Sequence, residues 1–123
     1  MTVPELYENV GGSYESAKRI LPSDRLIGKF VLKFLTDKSC EKLLTAKDAG
    51  DTTGMFEGAH ALKGVCANLG FNDLSHMASE VADNFRPGSA PTMSDGDVDA
   101  RCAEIKALYG KTIAGIQQFQ AEQ

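Results

Sequence analysis

A histidine, a lysine and a glycine lie close together in the segment MFEGAHALKGVCANLGFNDL, which covers residues 55–74. If this segment is helical, His60, Lys63 and Gly64 share one surface patch, because residues three and four apart are neighbours on a helix. The imidazole of His60 can act as a nucleophile, and the ammonium of Lys63 would favour negative charge placed on that ring. A phosphoryl group would bring about two such charges. The three residue types therefore indicate an exposed nucleophilic histidine that a protein partner can reach.

The glycine of this patch is informative because it works against the helix. Glycine inside a helix is unfavourable by roughly 1 kcal/mol relative to alanine. Gly64 lies one turn after His60, where a missing side chain leaves room for an approaching molecule. Phe56 lies one turn before His60 on the same face, and two interpretations of it stay open. It is either an exposed apolar anchor for a partner or a rim residue that folds back onto the core.

The stretch AHALKGVCANLG resembles the signature of the histidine-containing phosphotransfer (HPt) family, His-x-x-Lys-Gly followed by a helix-ending Leu-Gly. The resemblance implies that His60 is the phosphoacceptor, Lys63 its charge partner and Gly64 the clearance for a partner. It also implies phosphorylation of the outer ring nitrogen, Nε2. For docking, Ala67 would keep the approach surface flat, and Asn68 would help to orient the histidine or the phosphate.

The resemblance further implies a role in bacterial two-component phosphorelays. The chain would accept a phosphoryl group on His60 from a response-regulator (receiver) aspartate or a hybrid sensor histidine kinase and pass it to another aspartate. No cofactor is expected in this chain, because the Mg²⁺ of the reaction would belong to the receiver domain. The alternative is a non-catalytic helical adaptor that docks on a receiver domain and inhibits it. The presence of His60, Lys63 and Gly64 argues against that alternative, since a blocker needs only a docking surface.

Other chemistry is poorly supported by the sequence. A metal site built from His60, His76 and a cysteine is improbable, and we predict that His76 is a solvated surface residue. No phosphate-binding GxxxxGK[ST] motif or kinase glycine loop occurs, so we expect no ATP-dependent kinase activity. The cysteines are odd in number and lack CxxC spacing, which favours packing over a disulfide framework or a zinc site. They are Cys40, Cys66 and Cys102.

The elements that would position the histidine are helices. A stripe at steps of four and three faces the core of the motif helix, which should run over about 52–69 and end at Gly70. Further helical patterns cover about 24–36, 40–50, 72–86 and 95–121, and a short helix precedes Pro22. We therefore predict an all-α fold, an antiparallel up-and-down four-helix bundle over 23–121, with one or two short helices in 3–21. The core stripe of the motif helix consists of Met55, Ala59, Leu62, Cys66 and Leu69.

The length, composition and net charge of the chain limit its possible domain organisation and partners. The 123 residues suit one domain over 1–123, and a hydrophobic content of 42% is typical of a globular chain. A net charge of −4 without a basic run makes a nucleic-acid partner improbable. No apolar stretch approaches the roughly 20 residues of a membrane span. We expect a cytoplasmic monomer that stands alone rather than a piece of a larger kinase.

Overall fold

Seven α-helices form the chain in the computed structural model, which describes residues 1–123 and contains no strand. The predicted all-α class and the short helices before the bundle are confirmed. No helix combines the length and the hydropathy that crossing a membrane would require. The helices are α1 (Val3–Val10), α2 (Tyr14–Ile20), α3 (Asp24–Phe34), α4 (Ser39–Ala49), α5 (Thr52–Asn68), α6 (Asn72–Asn84) and α7 (Asp95–Ala121).

Local hydrogen bonds explain where the helices begin and end. The side chain of Asp51 accepts from the backbone N–H of Gly54 at the start of α5, as an N-cap does. Helix α3 stops at Phe34, two residues before the end predicted for it. The backbone N–H of Thr36 and its hydroxyl both donate to the carbonyl of Lys33, which tightens the last turn and closes the helix.

The bundle is built from the last four helices, α4 to α7, so it begins at Ser39 rather than at residue 23 as predicted, and α3 packs outside it. Helix α5 packs between α4 and α6, while α7 packs against both α6 and α4 and closes the ring. Helices α1 and α3 pack against α7, and α2 packs against α1 and α3. The motif helix α5 therefore has neighbours on two sides and solvent along the rest of its length. This arrangement gives α5 one face for the core and one face for a site.

Buried apolar side chains from every helix form one cluster that runs from Val3 to Phe119. All five residues of the predicted α5 stripe belong to it, and the three cysteines are buried in it as predicted. Tyr7 of α1 reaches across to the turn after α5, where its hydroxyl donates to the carbonyl of Leu69 at 2.5 Å. Its ring also stacks on Phe71, with 5.5 Å between the ring centroids. Helix α1 thereby fixes the α5–α6 turn.

Gly58 sets how closely α4 and α5 approach each other. A Cβ placed on Gly58 would lie 2.6 Å from the backbone nitrogen of Leu43 and 2.8 Å from its Cα. Only a residue without a side chain fits there, because the obstacle is backbone rather than a movable side chain. The close packing of α4 on this side holds α5 in place while its opposite face stays free.

Candidate functional site

His60 lies on the exposed face of α5, opposite the buried stripe. Its imidazole stacks on the ring of Phe56, with 5.5 Å between ring centroids and 20° between the planes. Phe56 is half-buried and packs against the core cluster, so it supports the imidazole from the turn below. Of the two interpretations of Phe56, the rim residue fits this position better, because the ring is covered by the core on one side and by His60 on another.

Lys63 is half-buried on the side of α5 that faces α6. The hydroxyl of Ser75 on α6 donates to the Lys63 carbonyl at 2.9 Å and ties the two helices together at this level. The Lys63 side chain lies off the core stripe, as predicted. Its ammonium lies close enough to Asp83 to help lower the pKa of that carboxyl, and His60 lies within one helical turn of Lys63.

The surface on the other side of His60 is open. A Cβ placed on Gly64 would meet no atom within 4 Å, so nothing inside the protein requires a glycine there. Ala67 and Asn68 are also exposed. At about 100° per residue, Gly64 is turned about 40° and Asn68 about 80° from His60 around the axis of α5. These predicted docking residues thus form a low strip that extends from the imidazole toward the C-terminal end of α5.

Two charged residues that sequence reasoning missed lie beside this site. Arg86, just after α6, donates from Nη2 to Oδ1 of Asp83 at 2.8 Å, and its guanidinium carbon lies 5.5 Å from the centroid of the Phe56 ring. The hydrogen bond from Arg86 lowers the pKa of Asp83, and the positive charges of Arg86 and Lys63 lower it further. The i, i+3 spacing of Asp83 and Arg86 could have indicated from the sequence that the two side chains form an ion pair. The antiparallel turn at Gly70 brings the end of α6 beside the start of α5.

An apolar groove of about 660 Å³ continues from the low strip. Asn68 and Val65 of α5 form one wall, and residues of α2 and α3 form the other. The groove contains Ile20 and Phe30, the two large apolar side chains that stay exposed in this chain, with 52% and 38% of their surface accessible. Lys33 lies on the rim, with its ammonium 5.1 Å from the Phe30 ring centroid.

The other candidate nucleophiles lie away from His60. His76 is exposed on α6 as predicted, with 82% of its side chain accessible and Nε2 3.6 Å from Glu80. Burial raises the pKa of the Cys40 thiol to about 12 and also raises the pKa values of Cys66 and Cys102. Such thiols stay protonated and unreactive near neutral pH. No three His, Cys, Asp or Glu side chains are grouped so that they could hold a metal ion.

Comparison with known proteins adds one finding. A family model described as "Hpt domain" matches residues 35–118, which include α4, α5, α6 and most of α7. No curated protein and no solved structure matches the chain significantly. The matched region contains His60, its neighbours on α5 and the Asp83–Arg86 pair, whereas α1, α2 and α3 precede it.

Proposed function

Because the chain belongs to the Hpt domain family, we propose that His60 is its phosphoacceptor and that residues 1–123 act as one domain. Hpt domains are phosphocarrier modules of phosphorelays, not kinases, and they interact with receiver domains and kinases. The specific role is a histidine phosphotransfer intermediate that takes a phosphoryl group from one receiver aspartate and passes it to another. A cytoplasmic location and a monomeric state are part of the same proposal.

The transfer uses the lone pair of one ring nitrogen. Nε2 of neutral His60 attacks the phosphorus of the aspartyl phosphate, and the N–P bond forms as the O–P bond to the aspartate breaks. The electron pair of the broken bond stays on the aspartate, which leaves as a carboxylate. The proton of the ring remains on Nδ1. Mg²⁺ would lie in the receiver domain, where it neutralises the charge of the phosphoryl group during transfer.

Lys63 and Gly64 have complementary roles in this proposal. Lys63 lies within one turn of His60, and its ammonium would favour the state in which the ring carries a dianionic phosphoryl group. Gly64 leaves the opposite side of the imidazole open, so that the partner's aspartate can come within bonding distance. The observation that carries the proposal is this pairing: an exposed imidazole with a cation on one side and empty space on the other.

The apolar groove supports docking of a receiver domain next to His60. It begins at Asn68, two turns along α5 from the imidazole, and exposes Ile20 and Phe30 to solvent. Exposed apolar side chains that converge in one groove are typical of protein interfaces. The ammonium of Lys33 on the rim favours a partner with acidic side chains around an apolar surface. A receiver seated in the groove would bring its active-site face over Gly64 and His60.

Loss of the acceptor is the direct test. We expect that His60→Gln takes up no phosphate from a phosphorylated receiver domain, because glutamine lacks the nucleophilic ring nitrogen. His76→Gln is the matched control on the neighbouring helix and should be labelled like the wild type. The label should be acid-labile and base-stable, as phosphohistidine is, and circular dichroism should show both variants folded.

The outcomes of this experiment separate the candidates. Transfer that survives in His60→Gln would refute the assignment of the acceptor. A wild-type protein that binds the receiver tightly but never takes up phosphate would instead be the inhibitory adaptor.

A further inference from the structure

A paired carboxylate and guanidinium are linked to the proposed phosphoacceptor through the ring of Phe56. The Asp83–Arg86 hydrogen bond is 2.8 Å long, and the Arg86 guanidinium lies over the ring of Phe56. His60 is a second neighbour of Phe56, and its ring stacks on the phenyl ring. Guanidinium, phenyl ring and imidazole are therefore contiguous, and the anion of Asp83 holds the guanidinium at one end of the row.

Phosphorylation of His60 would change the balance of charges in this row. A phosphoryl group brings about two negative charges and three acceptor oxygens, and guanidinium groups bind such oxygens well. Arg86 offers five N–H donors, and one contact with Asp83 occupies only part of them. Asp83 thus competes with the phosphoryl group for the same cation. Both Asp83 and Arg86 are partly exposed, with 55% and 41% of their side chains accessible, so the guanidinium is free to move.

We propose that Asp83 tunes the phosphotransfer equilibrium by binding Arg86 while His60 is unphosphorylated. This competition for Arg86 keeps phospho-His60 from becoming too stable to pass its phosphoryl group on. The inference rests on the proposed function of His60. Asp83 is a positioning residue: it acts through Arg86 and forms no bond to phosphorus. When the phosphoryl group leaves, the N–P bond breaks, the receiver's aspartate forms the new O–P bond, and Arg86 returns to Asp83.

The test measures the equilibrium between phosphorylated receiver domain and phosphorylated chain for four proteins: the wild type, Asp83→Asn, Arg86→Gln and the double variant. Asparagine keeps the shape of the side chain and removes its charge. We expect Asp83→Asn to shift the equilibrium toward phospho-His60 by about two- to fivefold, the range of an exposed ion pair. Arg86→Gln should shift it in the opposite direction. In the Arg86→Gln background, Asp83→Asn should have a clearly smaller effect, because Arg86 is gone and only the weaker charge interaction of Asp83 with Lys63 remains.

A matched control comes from an equivalent pair elsewhere. Arg101 and Glu104 on α7 have the same i, i+3 spacing and the same 2.8 Å contact, and Glu104 is as exposed as Asp83, but the pair lies on a helix that packs against α6 and α4. Arg101 also pairs with Glu80 of α6 at 3.0 Å, so it stays anchored when Glu104 is neutralised. Glu104→Gln removes one negative charge from the protein and should leave the equilibrium unchanged. An equal shift in Glu104→Gln would show that overall charge sets the equilibrium and would overturn the inference.

The remaining outcomes are also decisive. An unchanged equilibrium in Asp83→Asn refutes the inference, and so does an Asp83→Asn shift of equal size with and without Arg86. Thermal unfolding of each variant confirms that the fold is intact, and a structural role alone would not move the equilibrium of a folded variant. If the wild type itself takes up no phosphate, or if His60→Gln still does, the proposed function fails instead, so the two failures are distinguishable.

Discussion

Two glycines of the motif helix offer a sharp test of the site, because their surroundings are opposite. Gly58 meets the backbone of Leu43 at 2.6 Å, whereas Gly64 meets nothing within 4 Å. Substitution by alanine gains about 1 kcal/mol of helix propensity at either position. At Gly64 that gain is kept, so Gly64→Ala should raise the free energy of unfolding by up to about 1 kcal/mol.

At Gly58 the same gain is outweighed by overpacking. The new methyl group must displace the backbone of α4, and overpacking of a tight core is unfavourable by about 1–3 kcal/mol. Because backbone gives way less easily than a flexible side chain, we expect the upper part of that range. The net change for Gly58→Ala is then a loss of about 1–2 kcal/mol. Chemical denaturation, with equal m-values for the variants, measures both changes.

The rate of phosphotransfer tests the role of Gly64 directly. Gly64→Gln places a long side chain beside His60 and should slow uptake from a phosphorylated receiver by about tenfold or more, equivalent to about 1.4 kcal/mol of lost interaction with the partner. Ala103→Gln adds the same kind of side chain to an exposed position of α7 and should leave the rate unchanged. A Gly64→Gln protein that transferred at the wild-type rate would refute the argument that Gly64 provides clearance.

Two further predictions concern single side chains. Lys63→Ala should slow phosphorylation at low salt without unfolding the bundle, and Lys63→Arg should have a milder effect. High salt should reduce the difference in rate between wild type and Lys63→Ala. An unchanged rate and an unchanged phosphohistidine lifetime of Lys63→Ala at low salt would mean that the lysine is only a solvated neighbour. Tyr7→Phe should lose about 1–2 kcal/mol of stability at neutral pH, because the Leu69 carbonyl loses its donor. Burial raises the pKa of Tyr7, so above about pH 10 only the unfolded phenol ionises and the wild type should lose stability. Tyr7→Phe should lose less stability over the same pH range, and equal alkaline denaturation of the two proteins would contradict this.

Most of the architecture follows from the helical period of the sequence. The stripe on α5 places its apolar residues in the core, and helix ends fall within about two residues of the predicted positions. The buried position of Gly58 could also have been predicted from the sequence. It lies four residues before Leu62 on the same helical face, which predicts a buried glycine, whereas Gly64 lies beyond that face. The stripe and the His-x-x-Lys-Gly spacing use contacts within one helix, and such contacts are encoded in local spacing.

The charged neighbours of His60 were harder to foresee because they depend on contacts between helices. Arg86 reaches Phe56 only because α6 runs back along α5, and the level at which the helices meet is set by packing and by the Ser75–Lys63 hydrogen bond. The sequence shows that Asp83 and Arg86 are three residues apart. It does not show that the Arg86 guanidinium lies over the Phe56 ring of α5, since Arg86 follows the end of α6, where the periodicity stops.

The groove illustrates how the two parts of the chain contribute to one surface. Its α5 wall belongs to the region that matches the family, whereas Ile20 and Phe30 come from α2 and α3, which precede that region. The proposed chemistry at His60 involves only the α5 residues and their partners on α6. Apolar side chains at the far wall contact none of the reacting atoms, yet they stay exposed against the usual tendency of large apolar residues. In the proposed function, the phosphotransfer residues thus lie within the region that matches the family, while the surface best suited to distinguish one receiver from another is built largely by the segment that precedes it.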